Sequence, residues 1–184
     1  MTTIAMSAPA STSKLAPSGA GHAQSQQLAR MTGLLFILTF ATSIPAALTL
    51  YVPALSDPAF VLGGGFDIGV SWGAVLELGL ILANIGTALT LYPVLRKRFE
   101  VLSLGYVTAR LVECGFIALG IVAVMALNTL RLDAGTADAG TLQVVGQALV
   151  AVHDWTFRIG PGVVVGIGNG LILGYMMYRT GLVP

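Results

Sequence analysis

The chain has 184 residues, 55% of them apolar and 9% charged, with a formal net charge of +1. That balance belongs to a membrane protein rather than a soluble one. It excludes a strongly basic nucleic-acid binder, which needs Lys and Arg clustered on a solvated face.

Residues 1–30 are rich in Ala, Ser, Thr, Gln, Pro and Gly. They cannot bury enough apolar surface to offset their ordering entropy, so a disordered cytoplasmic tail is expected there. Residues 31–184 are expected to form one transmembrane helical domain. Its four apolar runs are Met31–Val52, Gly69–Leu95, Leu102–Leu130 and Gly160–Tyr178, against the ~20 residues that cross a hydrocarbon core. Small residues at Ser43–Ala47 give the first run some likeness to a signal peptide, but the run is too long and starts too late. The single cysteine, Cys114, lies in the third run, where an inert buried thiol is expected and no intramolecular disulfide can form.

Basic residues set the expected orientation. Arg30, Arg96, Lys97, Arg98 and Arg179 all fall on one side of the spans. The opposite connections carry Asp57 and Asp67, then Arg131, Asp133 and Asp138. The positive-inside rule makes the basic side cytoplasmic, with both termini there. Tyr51, Trp72 and Trp155 then fall at the outer boundary, and Tyr92, Tyr106, Tyr175 and Tyr178 at the inner one, as amphipathic rings favour.

Ahead of the fourth run, Gln143, Gln147, Asp154 and Arg158 share one helical stripe. A continuous helix from Thr141 to Tyr178 would be roughly 57 Å long, too long for one crossing. Gly160-Pro161-Gly162 is expected to break or kink it. The predicted fold is therefore an all-α membrane helix bundle of four transmembrane helices plus one outer-face amphipathic helix over Thr141–Arg158.

Polar residues interrupt the apolar runs. Glu77 and Asn84 share a face of the second, and Arg110 and Glu113 are an i, i+3 pair in the third. Counting depth from the cytoplasmic ends of the spans predicts two layers: an inner one of Asn84, Arg110, Glu113 and Asn169, and an outer one of Glu77, His153, Asp154 and Arg158. Glu77 and Arg158 fall at similar depth and could pair. The third run has twelve Leu, Ile, Val or Phe residues between Leu102 and Leu127. Together these contribute about −5 kcal/mol to insertion, which Arg110 and Glu113 placed centrally would nearly cancel at about +5 to +6 kcal/mol. Mutual pairing and neighbouring polar groups must make up the difference. Structural ion pairing is one reading of these residues; a ligand or proton pathway is another. A multi-histidine metal site cannot be built, since His22 in the tail is the only histidine besides His153. No G-x-S-x-G, H-E-x-x-H or P-loop pattern occurs, and no metal or cofactor is expected.

Gly162, Gly166, Gly170 and Gly174 recur every four residues in the fourth run. A face without Cβ atoms lets another helix approach closely. The expected partner is the second span through Gly69 and Gly73, or a second copy of the chain.

Several strings together resemble a known family. They are Ala88-Leu89-Thr90-Leu91-Tyr92-Pro93-Val94-Leu95-Arg96-Lys97-Arg98, then Leu104-Gly105-Tyr106-Val107 with Arg110 and Glu113. His153-Asp154-Trp155-Thr156-Phe157, Gly160-Pro161, Tyr178-Arg179 and Leu182-Val183-Pro184 follow in order. The combination is similar to the bacterial membrane family filed as domain-of-unknown-function family 4386. The resemblance implies a multi-pass protein of a bacterial plasma membrane, with no activity to carry over. Two departures stand out. His153 occupies a position where members often carry Arg, and the family usually continues into further apolar helices beyond the point where this chain stops, a natural short form or a truncated frame.

Three functions remain open. The first is a structural or interaction protein packing through its glycine-rich helix, with lipid and a second copy as partners. The second is a small carrier or binder of an apolar or ionic ligand using the Arg110/Glu113 layer. The third is an intramembrane enzyme using Glu77, His153 and Asp154. A filled bundle favours the first, a cavity at Arg110 and Glu113 the second, and convergence of the three outer residues in one cleft the third.

Overall fold

Within a hydrocarbon core each backbone N–H and C=O must find its partner inside the protein, which leaves helix as the form open to long apolar runs. The computed structural model describes residues 19–181, and four long helices account for most of them. Helix α1 spans Gly19–Pro45. Residues 19–30, expected in a disordered tail, are thus its first turns, because extending an existing helix needs no new nucleus. The rest of that expected tail, residues 1–18, lies outside the described residues.

Pro45 lacks the N–H that would continue the ladder, and the chain passes into a wider π turn over Ala46–Leu50. A short helix α2 (Val52–Ser56) and a 3-10 turn (Phe60–Leu62) then fold back over the end of the bundle. Tyr51, Ala54, Phe60 and Val61 are buried there against Val70, Val124, Leu127 and Leu142. Asn128 fastens this connection: its Oδ1 accepts from Asp67 N at 2.7 Å and its Nδ2 donates to Asp67 O at 2.8 Å. Arg131 donates to the carbonyls of Phe60 (2.7 Å), Gly65 (2.9 Å) and Gly64 (3.2 Å), with its guanidinium 4.3 Å from the Phe60 ring centre. Gly64 and Gly65 present those carbonyls from left-handed backbone, φ 67° and 72°, which favours glycine.

Helix α3 (Ile68–Leu95) begins at Asp67, whose Oδ1 accepts from Val70 N at 3.0 Å, an N-cap. Helix α4 spans Glu100–Leu130. Helix α5 (Ala139–Phe157) is capped by Asp138, which accepts from Thr141 N at 2.8 Å and Thr141 Oγ1 at 2.9 Å. Those two bonds favour the ionised form and hold the Asp138 carboxyl below the usual carboxylate range.

No break occurs at Gly160-Pro161-Gly162. The chain stays helical from Ala139 to Thr180, through π turns over Arg158–Val164 and Gly166–Leu173, into α6 (Gly174–Thr180). Widened turns absorb the proline that regular α geometry would not. Thr141–Arg158 is accordingly not a separate interfacial helix but one half of a long fourth helix lying antiparallel to α4. A Cβ on Gly146 would meet Leu127, one on Gly160 would meet Phe116, and one on Gly168 would meet Ala109. Met176 lies beside Ser103. At 1.5 Å per residue α4 is about 45 Å long and the fourth helix longer still, so both must tilt or project beyond a ~30 Å hydrocarbon core.

The glycine ladder does not make the expected internal contact. Gly162, Gly166, Gly170 and Gly174 are all exposed, and a methyl group on Gly166 or Gly170 would meet nothing within 4 Å. Gly73 of α3 receives the Tyr51 ring instead, 2.5 Å from where a Cβ would stand, and Gly69 meets only Asp67. Close approach falls on the neighbouring face, at Gly160 and Gly168. The π turns change the angular advance per residue, which rotates the ladder away from α4.

Helix α1 packs on α3, α3 on α4, and α4 on the fourth helix, while among the described residues no comparable contact joins α1 to the fourth helix. The outside carries exposed apolar side chains such as Leu82, Leu89, Val122 and Leu171, a surface suited to lipid.

Candidate functional site

Arg110 and Glu113 stand one turn apart on α4, facing Asn84 and Thr87 of α3. Arg110 Nη1 donates to Glu113 Oε2 at 2.6 Å, and Arg110 Nη2 donates to Asn84 Oδ1 at 2.8 Å and Thr87 Oγ1 at 3.3 Å. Asn84 Nδ2 donates to Glu113 Oε1 at 3.0 Å, closing a ring of three side chains. All are buried, and Arg110 is only 3% exposed. Each charge is thereby matched and hydrogen-bonded, the condition under which a buried pair is tolerated in low dielectric. The Phe36 ring of α1 lies over the guanidinium, 5.9 Å from its centre.

Besides Tyr106 Oη, one turn before Arg110 on α4, two polar atoms at this layer are left without a hydrogen-bond partner among the described residues. Arg110 Nε is buried with no hydrogen-bond partner, and so is Oδ1 of Asn169 on the fourth helix. Asn169 is thus at the layer but outside its hydrogen-bonded ring. Both residues line a cavity of about 390 Å³ between α1 and the fourth helix. Its walls are apolar, formed by Phe36, Phe40 and Ile44 of α1, Leu80 and Ile117 behind, and Phe157, Pro161 and Val165 opposite. The cavity exists because the first and fourth helices flank the α3–α4 pair without closing on each other.

The other predicted layer assembles differently. Glu77 is buried on α3, and its Oε2 accepts from Tyr51 Oη at 3.1 Å. The expected Glu77–Arg158 pair is not formed, because the Arg158 guanidinium lies over the Trp155 ring at 5.5 Å. His153 is buried and stands edge-on to Tyr51, ring centres 5.9 Å apart. Its Nδ1 is 3.9 Å from Asp154 Oδ1 and has no hydrogen-bond partner. Glu77, His153, Asp154 and Arg158 do line one cavity of about 290 Å³ with Tyr51 and Phe157. No hydrogen-bonded relay connects Glu77 to His153 among the described residues, so the geometry of a base and its orienting group is absent there. No group of three metal-ligating side chains occurs among the described residues.

Sequence reasoning missed several of these roles. Tyr51 and Tyr106, expected in interfacial belts, are fully buried, whereas Trp72, Trp155 and Tyr178 are exposed. Tyr51 turns inward because the π turn and α2 fold the chain back over the bundle. Nothing in the sequence marks that reversal except Pro45 and Pro53. Asn128 and Arg131 gave no signal as clamps, since their partners are backbone groups some sixty residues away.

Comparison with curated proteins and with solved structures finds no match. The family model described as "Domain of unknown function (DUF4386)" matches residues 31–184. With four helices long and apolar enough to cross a bilayer, this is a membrane protein, and the chain belongs to the DUF4386 family.

Proposed function

We propose that the protein binds a small, uncharged amphiphile drawn from the membrane, in the cleft between α1 and the fourth helix. The observation that carries this is a pair of buried atoms without a hydrogen-bond partner among the described residues, the donor Arg110 Nε and the acceptor Asn169 Oδ1, on two residues that line one cavity. Buried polar groups are ordinarily satisfied, so two left open on one cavity mark a place for a polar head. A hydroxyl or protonated acid answers both, accepting from Arg110 and donating to Asn169. A charged head at the Arg110 and Asn169 end of the cavity is disfavoured because Glu113 already balances Arg110. The apolar walls suit a hydrocarbon tail, and the volume falls within the usual range of ~300–1,000 Å³ for ligand sites. This is the binder reading of the Arg110/Glu113 layer. The setting is a bacterial inner membrane with Arg96, Lys97 and Arg98 on the cytoplasmic side, which the positive-inside asymmetry supports.

The test uses 1-decanol and decane on the detergent-solubilised full chain. Decanol should raise the unfolding temperature and decane should not. Asn169→Leu, which removes one head-group partner without touching the Arg110–Glu113 ring, should abolish the difference. Equal effects of the two compounds on the unmodified chain would defeat the proposal.

A further inference from the structure

Glu77 is another polar group that the bundle leaves only partly answered. Its carboxyl is buried, yet its only hydrogen bond from a described residue comes from Tyr51 Oη. No Arg, Lys or His of the described residues lies within ion-pairing distance of it. The charged and titratable groups facing the two larger of its cavities are Tyr51, His153, Asp154 and Arg158 on one side, and Arg110 and Glu113 on the other, and the third, much smaller one adds only His153 again. The last two neutralise each other. On the first side two carboxyls face one guanidinium, and that guanidinium is engaged with Trp155.

A carboxyl in such a place either holds its proton or is matched by a counter-ion, and a cation that reaches it gains by supplying that match. A metal ion is poorly served, because no three ligating side chains converge among the described residues. His153 also lines this cavity; it is more than nine-tenths buried, and its Nδ1 has no hydrogen bond among the described residues. Tyr51 and Phe157 add aromatic surface beside them, and Leu48 and Ala47 an apolar wall. A carboxylate, a free imidazole nitrogen and aromatic rings in one pocket are the partners of a protonated amine.

We propose that the cavity at Glu77 and His153 is a site for an organic ammonium with a small apolar body. Its N–H groups donate to the Glu77 carboxylate and His153 Nδ1, and its body lies against Tyr51 and Phe157. The cavity shares Ala47, Leu48, Glu77 and Phe157 with the larger one, so the cleft has two polar ends of different chemistry. The ammonium end does not depend on the head-group position at Arg110 and Asn169.

The experiment compares 2-phenylethylamine at neutral pH with 2-phenylethanol, by titration calorimetry on the purified full chain in detergent. The amine should bind at least tenfold more tightly than the alcohol. Glu77→Gln should remove that preference, and Asn169→Leu should leave it intact. Equal affinities for amine and alcohol, or a preference unchanged in Glu77→Gln, would overturn the site. Should Glu77→Gln not fold, Leu48→Trp decides: Leu48 is exposed and lines the cavity, so the larger ring should weaken the amine at least tenfold, and unchanged affinity counts against the proposal.

Discussion

At the scale of single residues, the bundle is organised by where polar groups find partners in low dielectric. Arg110, Glu113 and Asn84 satisfy one another, which answers the insertion cost that the third run carries alone. The pair should behave as a unit. Glu113→Ala strands a buried guanidinium and should cost about 3–5 kcal/mol. Arg110→Leu with Glu113→Leu should cost clearly less than the sum of the single changes, with a coupling of up to about 3 kcal/mol. Reversible unfolding in mixed detergent micelles measures each variant, and additivity would show that the two side chains do not act together.

Among the elements, the fourth helix matters most. Its π turns keep it unbroken through Pro161 and present Phe157, Pro161, Val165 and Asn169 to the cleft. They also decide which glycines are structural. A Cβ on Gly168 would stand 2.8 Å from Ala109 Cβ, so Gly168→Ala should destabilise by about 1–3 kcal/mol through overpacking. Gly166→Ala and Gly170→Ala meet nothing and should be neutral or gain up to about 1 kcal/mol of helix propensity. Thermal unfolding of the three variants orders them, and equal losses at Gly168 and Gly170 would contradict the packing described here. Since the ladder packs against no other described helix, cysteine at Gly170 in a Cys114→Ala background also reports on a second copy: a crosslinked dimer shows the ladder used between chains, and its absence counts against that use.

Taken whole, the molecule is a row of four helices curled so that its ends flank a cleft. Its ends carry different charge, with Arg96, Lys97 and Arg98 at one and the clamped connection and Asp133 and Asp138 at the other. The orientation proposed above predicts a labelling pattern in intact cells. Cysteine at Gly135 in a Cys114→Ala background should react with a membrane-impermeant maleimide, and cysteine at Lys97 only after lysis. The opposite pattern would invert the orientation.

Composition and apolar run length by themselves determined the membrane setting and the four long helices, because both follow from the cost of unsatisfied backbone in hydrocarbon. The Arg110–Glu113–Asn84 ring was also legible, since two of its members are one helical turn apart and the third matches them in depth. What only the tertiary structure decided were the features that depend on rotation of one helix against another. The wide turns near Pro161 moved the glycine ladder outward and put Gly160 and Gly168 against α4. The reversal after Pro45 buried Tyr51 on Glu77 and left Arg158 to Trp155. Helical periodicity reads faces at a constant angle per residue, and a few π turns or a folded-back connection suffice to reassign them.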